Sequence, residues 1–309
     1  MVILSLYRKE APAISKKTRD HLIAYSFIAP NFIGFAVFTL APLCFALALS
    51  LMKWDSANPI EFVGFDNYIR LTSDKQFLRA LSNTAVYTVG VVPVTLICSL
   101  GLAILLNKPT KGRGFFRTVT FFPYVASLVS LAAVWNFVFN PSRGPVNALL
   151  NFVTGIPFEQ LPRWGASRDW AMFTVILFSV WKNMGYYMVI YLAGLQGINP
   201  ELYEAASLDG ANARQKFRHV TLPQLAPTTF FVMIMLVISS FKVYDIFLNL
   251  FGGNENQLND FTRVIVYQIY NTAFRIWDFG YASSMAIVLF IIVLTVTLVQ
   301  FRGQRKFDA

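Results

Sequence analysis

The chain contains little cysteine, little histidine and little charge. Its 309 residues include two cysteines and two histidines, and only 14% of the residues are Asp, Glu, Lys or Arg. Cys44 and Cys98 both lie inside apolar runs. The sequence therefore predicts neither a disulfide framework nor a Cys/His metal site.

The motifs that bind nucleotide phosphates or catalytic zinc are also missing. The sequence has no G-x-x-x-x-G-K-[ST], no G-x-G-x-x-G and no H-E-x-x-H. Ser207, Asp209 and His219 fall on one short polar segment, but nothing there would exclude water from a reaction. We therefore expect no catalytic residues, no cofactor bound by this chain and no ATP hydrolysis by this chain alone.

Apolar residues dominate the composition. They make up 56% of the chain, and aromatic residues make up 16%. This is far too apolar for an ordinary soluble domain, and it predicts an all-α polytopic membrane protein with lipid around it. The predicted single transmembrane domain covers residues 1–309, and its six spans are 24–50, 81–107, 118–139, 171–195, 228–250 and 280–301. The first run follows several basic residues but is too long for a signal peptide, so we expect an uncleaved anchor.

The net charge of +10 comes mainly from residues near the ends of these runs. No compact basic patch with interleaved aromatic residues is present, so nucleic acid is not an expected partner. The N-terminal segment, the segments around residues 108–117 and 196–227, and the tail carry more Lys and Arg than the opposite loops. By the positive-inside rule, both termini and the 196–227 segment face the cytoplasm of a cell (inner) membrane.

Prolines interrupt the first three predicted spans. Pro42, Pro93 and Pro123 would either kink these helices beside a cavity or form kinks that lipid tolerates without a role in transport. The sequence alone leaves both interpretations open.

A polar segment, 199–227, separates the fourth and fifth spans. Asn199 is a good helix cap, Pro200 fits the first turn and Gly210 is a stop signal, so we predict a short helix, a turn and a second helix over 211–219. Leu222-Pro223 and Pro227 are expected to end that second helix. The segment could lie on lipid or dock into a protein, but its bases are balanced by acids, which favours docking.

Polar side chains share one face of each of two predicted spans. Ser179, Lys182, Asn183 and Tyr186 follow helical spacing in the fourth, and the fifth contains Ser239, Ser240, Lys242, Tyr244 and Asp245. A charge at a helix centre costs about 2.5–3.5 kcal/mol, so these charges should face protein or water. One interpretation is interhelical hydrogen bonding with a Lys242–Asp245 pair. The other is a hydrophilic translocation path, whose tyrosines, hydroxyls and amides suit sugars.

The polar segment resembles the EAA loop of permease subunits in ATP-binding-cassette importers. The shared pattern is E-A-A, three residues, G, nine residues, an aliphatic residue, any residue and L-P, with Val220 at the position where the family usually has Ile. Similarity to the carbohydrate branch, the maltose and glycerol-phosphate type and its first-permease half, extends to residues 31–42, 62–68, 181–183, 192–196 and 241–245. One departure follows the fifth span, where the positions of the family's T-x-G-G-P turn hold Leu250, Phe251, Gly252, Gly253 and Asn254. The two glycines are kept, so a glycine turn is still predicted there.

The resemblance implies a type I importer permease fold and a set of partners. These are a homologous second permease subunit, two ATP-binding-cassette ATPase subunits that bind ATP and Mg, and an extracytoplasmic solute-binding protein. The residues that would couple to the ATPases are Glu204, Ala205, Ala206, Asp209, Gly210, Leu222 and Pro223. The residues expected along the substrate path are Leu128, Ala132, Ser179, Lys182, Asn183, Tyr186, Ser239, Ser240 and Val243.

We therefore predict the permease subunit of an importer for a sugar, oligosaccharide or related solute. An alternative is a carrier coupled to an ion gradient, in which Lys182 and Asp245 would relay protons. A membrane scaffold that docks a partner through its polar segment is a further alternative. The sequence does not identify the solute.

Overall fold

The structure is a computed structural model, and it describes residues 16–109, 111–165, 167–251 and 260–304. Within these ranges the fold is helical except for one two-stranded antiparallel sheet. Its strands, β1 (Met52–Lys53) and β2 (Glu61–Phe62), pair Met52 with Phe62. The predicted glycine turn at Gly252 and Gly253 and the neighbouring Asn254 lie outside the described residues.

The first membrane segment passes through a proline by way of a π turn. Helix α1 (Lys16–Phe35) runs through the π turn Ala36–Leu40 into α2 (Ala41–Ser50), and Pro42 follows directly. Proline has no N–H, and its ring clashes with the carbonyl four residues earlier in a regular α-helix. The wider π turn, where the Ala41 N–H bonds to the Ala36 carbonyl, lets the helix continue.

The second membrane segment begins earlier than the apolar run. Helix α3 (Asp66–Ser73) is followed at once by α4 (Lys75–Asn107), because the Asp74 carboxylate accepts hydrogen bonds from the N–H groups of Gln76 and Phe77. This cap starts α4 six residues before the predicted boundary at residue 81. The helix continues without interruption through Pro93.

The third predicted span, 118–139, is broken. Helix α5 (Arg113–Val125) and helix α6 (Leu128–Val138) meet at an angle of 100°, with extended backbone at Ala126. The predicted kink at Pro123 is therefore a full break that begins three residues later. Helix α7 (Pro145–Thr154) and a 3-10 turn, Phe158–Gln160, then lead into α8 (Arg168–Gln196).

The polar segment contains α9 (Pro200–Leu208), α10 (Ala213–Lys216) and α11 (Leu222–Gln224). A π turn at Phe217–Thr221 joins α10 to α11 directly before Pro223. The second helical piece therefore continues past the predicted end at His219, since this π turn accommodates Pro223 as the first one accommodates Pro42.

The fifth predicted span, 228–250, is also interrupted. Helix α12 (Ala226–Phe241) is bent by 63° relative to the helical piece Ala213–Gln224, and it ends at Lys242. Helix α13 (Asp245–Phe251) follows after a short break. Helices α14 (Ile265–Phe274) and α15 (Phe279–Gln304) complete the described fold.

Four helical segments are each long and apolar enough to cross a membrane: Ile23–Ser50, Lys75–Asn107, Arg168–Gln196 and Phe279–Gly303. The two bent pairs raise this number to six if each counts as one span. Helices α4 and α8 form the centre, α5, α12 and α14 pack against one or both of them, and α15 packs against α2, α12 and α14. Most side chains of α1 stay exposed within this chain, including Phe27 at 81%, and Phe38 in the π turn that follows is also 81% exposed.

Candidate functional site

A cavity of about 290 Å³ lies between the two broken helices. The α5–α6 break contributes Tyr124 and Leu128, and the end of α12 with the break before α13 contributes Ser239, Ser240, Lys242, Val243 and Tyr244. The remaining lining residues are Tyr87, Val91, Lys182, Asn183, Tyr187, Leu236, Asp245 and Ile246. Broken helices allow irregular backbone inside a membrane where it lines a cavity.

The cavity wall combines aromatic rings with small hydrogen-bonding groups. Four of its residues are tyrosines, and Asn183, Ser239 and Ser240 add an amide and two hydroxyls. Behind the wall, the buried Tyr87 hydroxyl donates a hydrogen bond of 2.9 Å to the Ser179 Oγ. The wall therefore offers apolar ring faces beside hydrogen-bond donors and acceptors.

The structure brings most of the predicted path residues to this cavity. Leu128, Lys182, Asn183, Ser239, Ser240 and Val243 line it. Three predicted residues do not. Ala132 is 1% exposed in an apolar cluster, Ser179 lies behind Tyr87, and the Tyr186 ring stacks on the Tyr124 ring with centroids 4.3 Å apart.

Sequence reasoning did not assign the contribution of α4. Tyr87 and Val91 come from this helix, whose buried Thr84, Thr88 and Thr95 form a polar stripe at helical spacing. That stripe was the available signal, because buried hydroxyls in a membrane helix usually face protein. Tyr124, Tyr187, Leu236 and Ile246 were also not predicted. Lys242, Tyr244 and Asp245 belong to the polar face that one interpretation assigned to the path, but they were not among the path residues implied by the family resemblance.

Lys182 binds the end of a helix. Its Nζ donates hydrogen bonds to the carbonyl oxygens of Tyr124, at 3.0 Å, and Pro123, at 3.3 Å, in the last turn of α5. Lys182 is half-buried, as expected for a charge in a membrane segment that has found protein partners.

The predicted Lys242–Asp245 pair is not formed. Both side chains are exposed at the second break, and the ion pairs among the described residues are Arg70–Asp278 and Arg79–Asp260. The three-residue separation would suit a pair on one helix face, but Lys242 ends α12 while Asp245 begins α13. The described residues also contain no group of three His, Cys, Asp or Glu side chains that could hold a metal ion.

In the polar segment, a left-handed glycine connects α9 to the helical piece that runs from α10 through the π turn to α11. The Asn199 side chain accepts a hydrogen bond from the Glu201 N–H, and Gly210 has φ +73°. Asn212 and Gln215 form a reciprocal capping box at the start of α10. Local sequence therefore specifies both helix starts and the turn between them.

The predicted coupling residues lie on the surface of this segment. Glu204, Ala205, Asp209, Gly210, Leu222 and Pro223 are exposed, and Ala206 is partly buried. Leu208, beside Asp209, is 91% exposed. Most of the predicted coupling residues are therefore accessible from outside the chain.

The loop between α2 and α3 lies outside the membrane segments. The Asp55 carboxylate accepts hydrogen bonds from the backbone N–H of Asn58 and from its side-chain amide. These bonds, the backbone one most strongly, hold the pKa of Asp55 below its usual range. Nearby, the Trp54 carbonyl accepts hydrogen bonds from the N–H groups of Phe279 and Gly280. These contacts fix the β1–β2 hairpin against the start of α15.

Residues 94–308 match the family model described as binding-protein-dependent transport system inner membrane component. The chain is 37% identical to the probable ABC transporter permease protein YesP of Bacillus subtilis (strain 168), covering 92% of this chain and 91% of that protein. It is 33% identical to the lactose transport system permease protein LacF of Rhizobium radiobacter, covering 91% and 93%.

The fold is similar to that of a solved importer. One chain in the crystal structure of a bacterial alginate ABC transporter, in complex with an alginate pentasaccharide-bound periplasmic protein, superposes with a TM-score of 0.81. The match covers 94% of this chain and 96% of that chain at 23% identity, and it confirms the predicted type I importer permease fold. The resemblance based on the EAA pattern is likewise confirmed, and the chain belongs to the family of binding-protein-dependent transport system inner membrane components.

Proposed function

We propose that this chain forms one half of the membrane path of an ATP-driven importer for a sugar, oligosaccharide or related polyhydroxylated solute. The observation that carries the proposal is the cavity between the broken helices, with its four tyrosines, one amide and two serine hydroxyls. Tyrosine rings cover the apolar faces of a sugar ring, and the polar groups bond its hydroxyls. The similarity to a lactose transport permease agrees with this solute class.

The surfaces of the chain support a multi-subunit assembly. The exposed apolar side chains of α1 require lipid or another membrane subunit around them, because water would penalise their exposure. We propose that a homologous second permease completes the path and that an extracytoplasmic binding protein delivers the solute. The alginate transporter of similar fold was crystallised in complex with such a periplasmic protein.

The exposed segment of α9 to α11 is proposed as the contact for the ATPases. Glu204, Asp209 and Leu208 present charge and apolar surface to the outside of the chain, while local caps keep the segment folded. In this arrangement the segment and both termini face the cytoplasm, where two ATPase subunits bind ATP and Mg. The permease itself carries out no reaction, and ATP-driven movement of this segment reorients the cavity.

The test is reconstitution of the complete complex in lipid vesicles. We expect uptake of a labelled solute, from a panel of lactose, maltose and glycerol 3-phosphate, to require the binding protein and ATP. This chain reconstituted alone, with a proton or sodium gradient, should show no uptake. Gradient-driven uptake by the chain alone would favour an ion-coupled carrier, and absence of solute-dependent activity in the full complex would favour a scaffold.

A further inference from the structure

The ammonium group of Lys182 donates hydrogen bonds to backbone carbonyl groups beside the cavity. Helix α5 ends at Val125, so its last carbonyls have no partners farther along the same helix. The Ala126 N–H bonds to the Phe122 carbonyl, and Lys182 takes the next two carbonyls, those of Pro123 and Tyr124. Lys182 thus closes the helix at the point where the chain turns by 100° into α6.

Gly185 and Tyr186, which follow Lys182 on the same face of α8, also pack against the C-terminal turns of α5. A Cβ added at Gly185 would lie 2.0 Å from the Thr120 carbonyl oxygen, so the two helix backbones touch there. The Tyr186 ring stacks on Tyr124 at 4.3 Å, and the Lys182 Nζ lies 5.5 Å from the centroid of the Tyr124 ring. Lys182, Gly185 and Tyr186, at positions i, i+3 and i+4 of α8, therefore all contact the final turns of α5.

The positive charge of Lys182 also favours its position at the C-terminal end of α5. A lysine in a membrane segment is costly unless protein groups replace its water, and the C-terminal end of a helix carries partial negative charge. Lys182 meets both conditions at α5. Lys242 lines the same cavity, but its side chain is exposed and makes no hydrogen bond or ion pair within the described ranges.

We infer that Lys182 is a positioning residue, which caps α5 and thereby fixes the α5–α6 break that places Tyr124 and Leu128 in the cavity wall. The link to transport rests on the proposed function, whereas the capping contact does not. Because the ammonium binds carbonyl oxygens, it does not select for an anionic solute. Its role is to maintain the shape of the path.

Hydrogen exchange in the purified complex tests the cap directly. In Lys182→Met, we expect the backbone amides of Phe121, Phe122 and residues 124–126 to exchange about tenfold faster or more, since charge-assisted hydrogen bonds are lost. Lys182→Arg, which keeps a cation and several donors, should restore most of the protection. Lys242→Met removes the same charge from the same cavity and should leave exchange in this segment as in the wild type.

Uptake and ATP hydrolysis by these variants complete the test. We expect Lys182→Met to lower the maximal uptake of lactose and glycerol 3-phosphate alike, with ATP hydrolysis retained and uptake regained in Lys182→Arg. Unchanged exchange in Lys182→Met, or a loss confined to glycerol 3-phosphate uptake, would overturn the inference. A wild-type complex that takes up no solute would instead refute the proposed function, and the exchange result would still decide the cap.

Discussion

The hydroxyl group of Tyr203 in α9 lies 3.0 Å from the hydroxyl group of Thr221 in the second π turn. A second bond joins the same two pieces, because the Lys216 Nζ donates to the Ser207 Oγ at 2.6 Å. The two halves of the polar segment are therefore connected across the Gly210 turn. We therefore expect movement of α9 to be passed to the helical piece that leads into α12.

Removal of the Tyr203 hydroxyl should weaken this connection. Tyr203→Phe keeps the ring, which packs against the core, but loses a hydrogen bond worth about 1 kcal/mol. We expect normal assembly and a several-fold lower ratio of solute transported to ATP hydrolysed in vesicles. Tyr25→Phe, at an exposed ring in α1, is the matched control. An unchanged ratio in Tyr203→Phe would mean that this bond does not transmit the movement.

Gly210 is required for its backbone conformation. Its φ of +73° lies in the left-handed region, and a Cβ there would meet no atom within 4 Å, so backbone strain alone opposes a side chain. Gly210→Ala should cost about 1 kcal/mol and reduce ATPase binding. Gly210→Asn should bind more ATPase than Gly210→Ala, since Asn adopts this conformation more readily. Equal co-purification of ATPase with both variants would contradict the explanation.

The exposed carboxylate of Glu204 is expected to contact the ATPase subunits. Glu204→Gln removes the charge without changing the shape of α9, and we expect weaker ATPase co-purification and lower ATP-driven uptake while the permease still inserts. Glu159→Gln, at another exposed acidic residue in the 3-10 turn, should bind ATPase as the wild type does. Wild-type uptake and solute-stimulated ATP hydrolysis in Glu204→Gln would exclude this residue from the contact.

Local signals explain which parts of the fold were predictable. Asn199 and Gly210 mark a helix start and a turn through their own backbone chemistry, and the structure has both features at those positions. The apolar runs gave the membrane helices for the same reason, since a membrane segment needs about 20 apolar residues. The first break was predicted only as a kink at Pro123, three residues before the extended Ala126. The break at Val243 was not predictable, because valine is not a helix breaker.

The site depended on tertiary contacts that spacing does not encode. Helical periodicity placed Ser179, Lys182, Asn183 and Tyr186 on one face, but it could not show which of these reach the cavity. Tyr87 covers Ser179, and Tyr124 covers Tyr186. The covering residues come from other helices, so their positions follow from packing.

The stacking of Tyr186 on Tyr124 predicts that transport depends on the Tyr186 ring and not on its hydroxyl group. Tyr186 does not line the cavity, so its effect on transport should pass through the position of Tyr124. Tyr186→Phe keeps the stacking surface and should transport nearly as the wild type does. Tyr186→Ala removes a stacking contact worth about 0.5–1.5 kcal/mol beyond its buried area and should lower uptake several-fold. Equal uptake losses in both variants would show that the hydroxyl acts instead.

The buried hydrogen bond between Tyr87 and Ser179 predicts that the two single substitutions destabilise the protein by different amounts and that their costs are not additive. Tyr87 is 2% exposed and Ser179 is 0% exposed, so either group left alone is cut off from water. Ser179→Ala removes the acceptor and should cost about 1–3 kcal/mol, because the Tyr87 hydroxyl then has no replacement partner. Tyr87→Phe should cost less, since a serine hydroxyl in a helix can turn to the carbonyl four residues earlier. The double variant should cost less than the two single costs together, because no donor is stranded.

Thermal unfolding of the four purified proteins measures the cycle, with Ser284→Ala as control, since that buried serine bonds only to the Tyr281 carbonyl of its own helix. Additive costs would show that the hydroxyl pair contributes nothing as a pair.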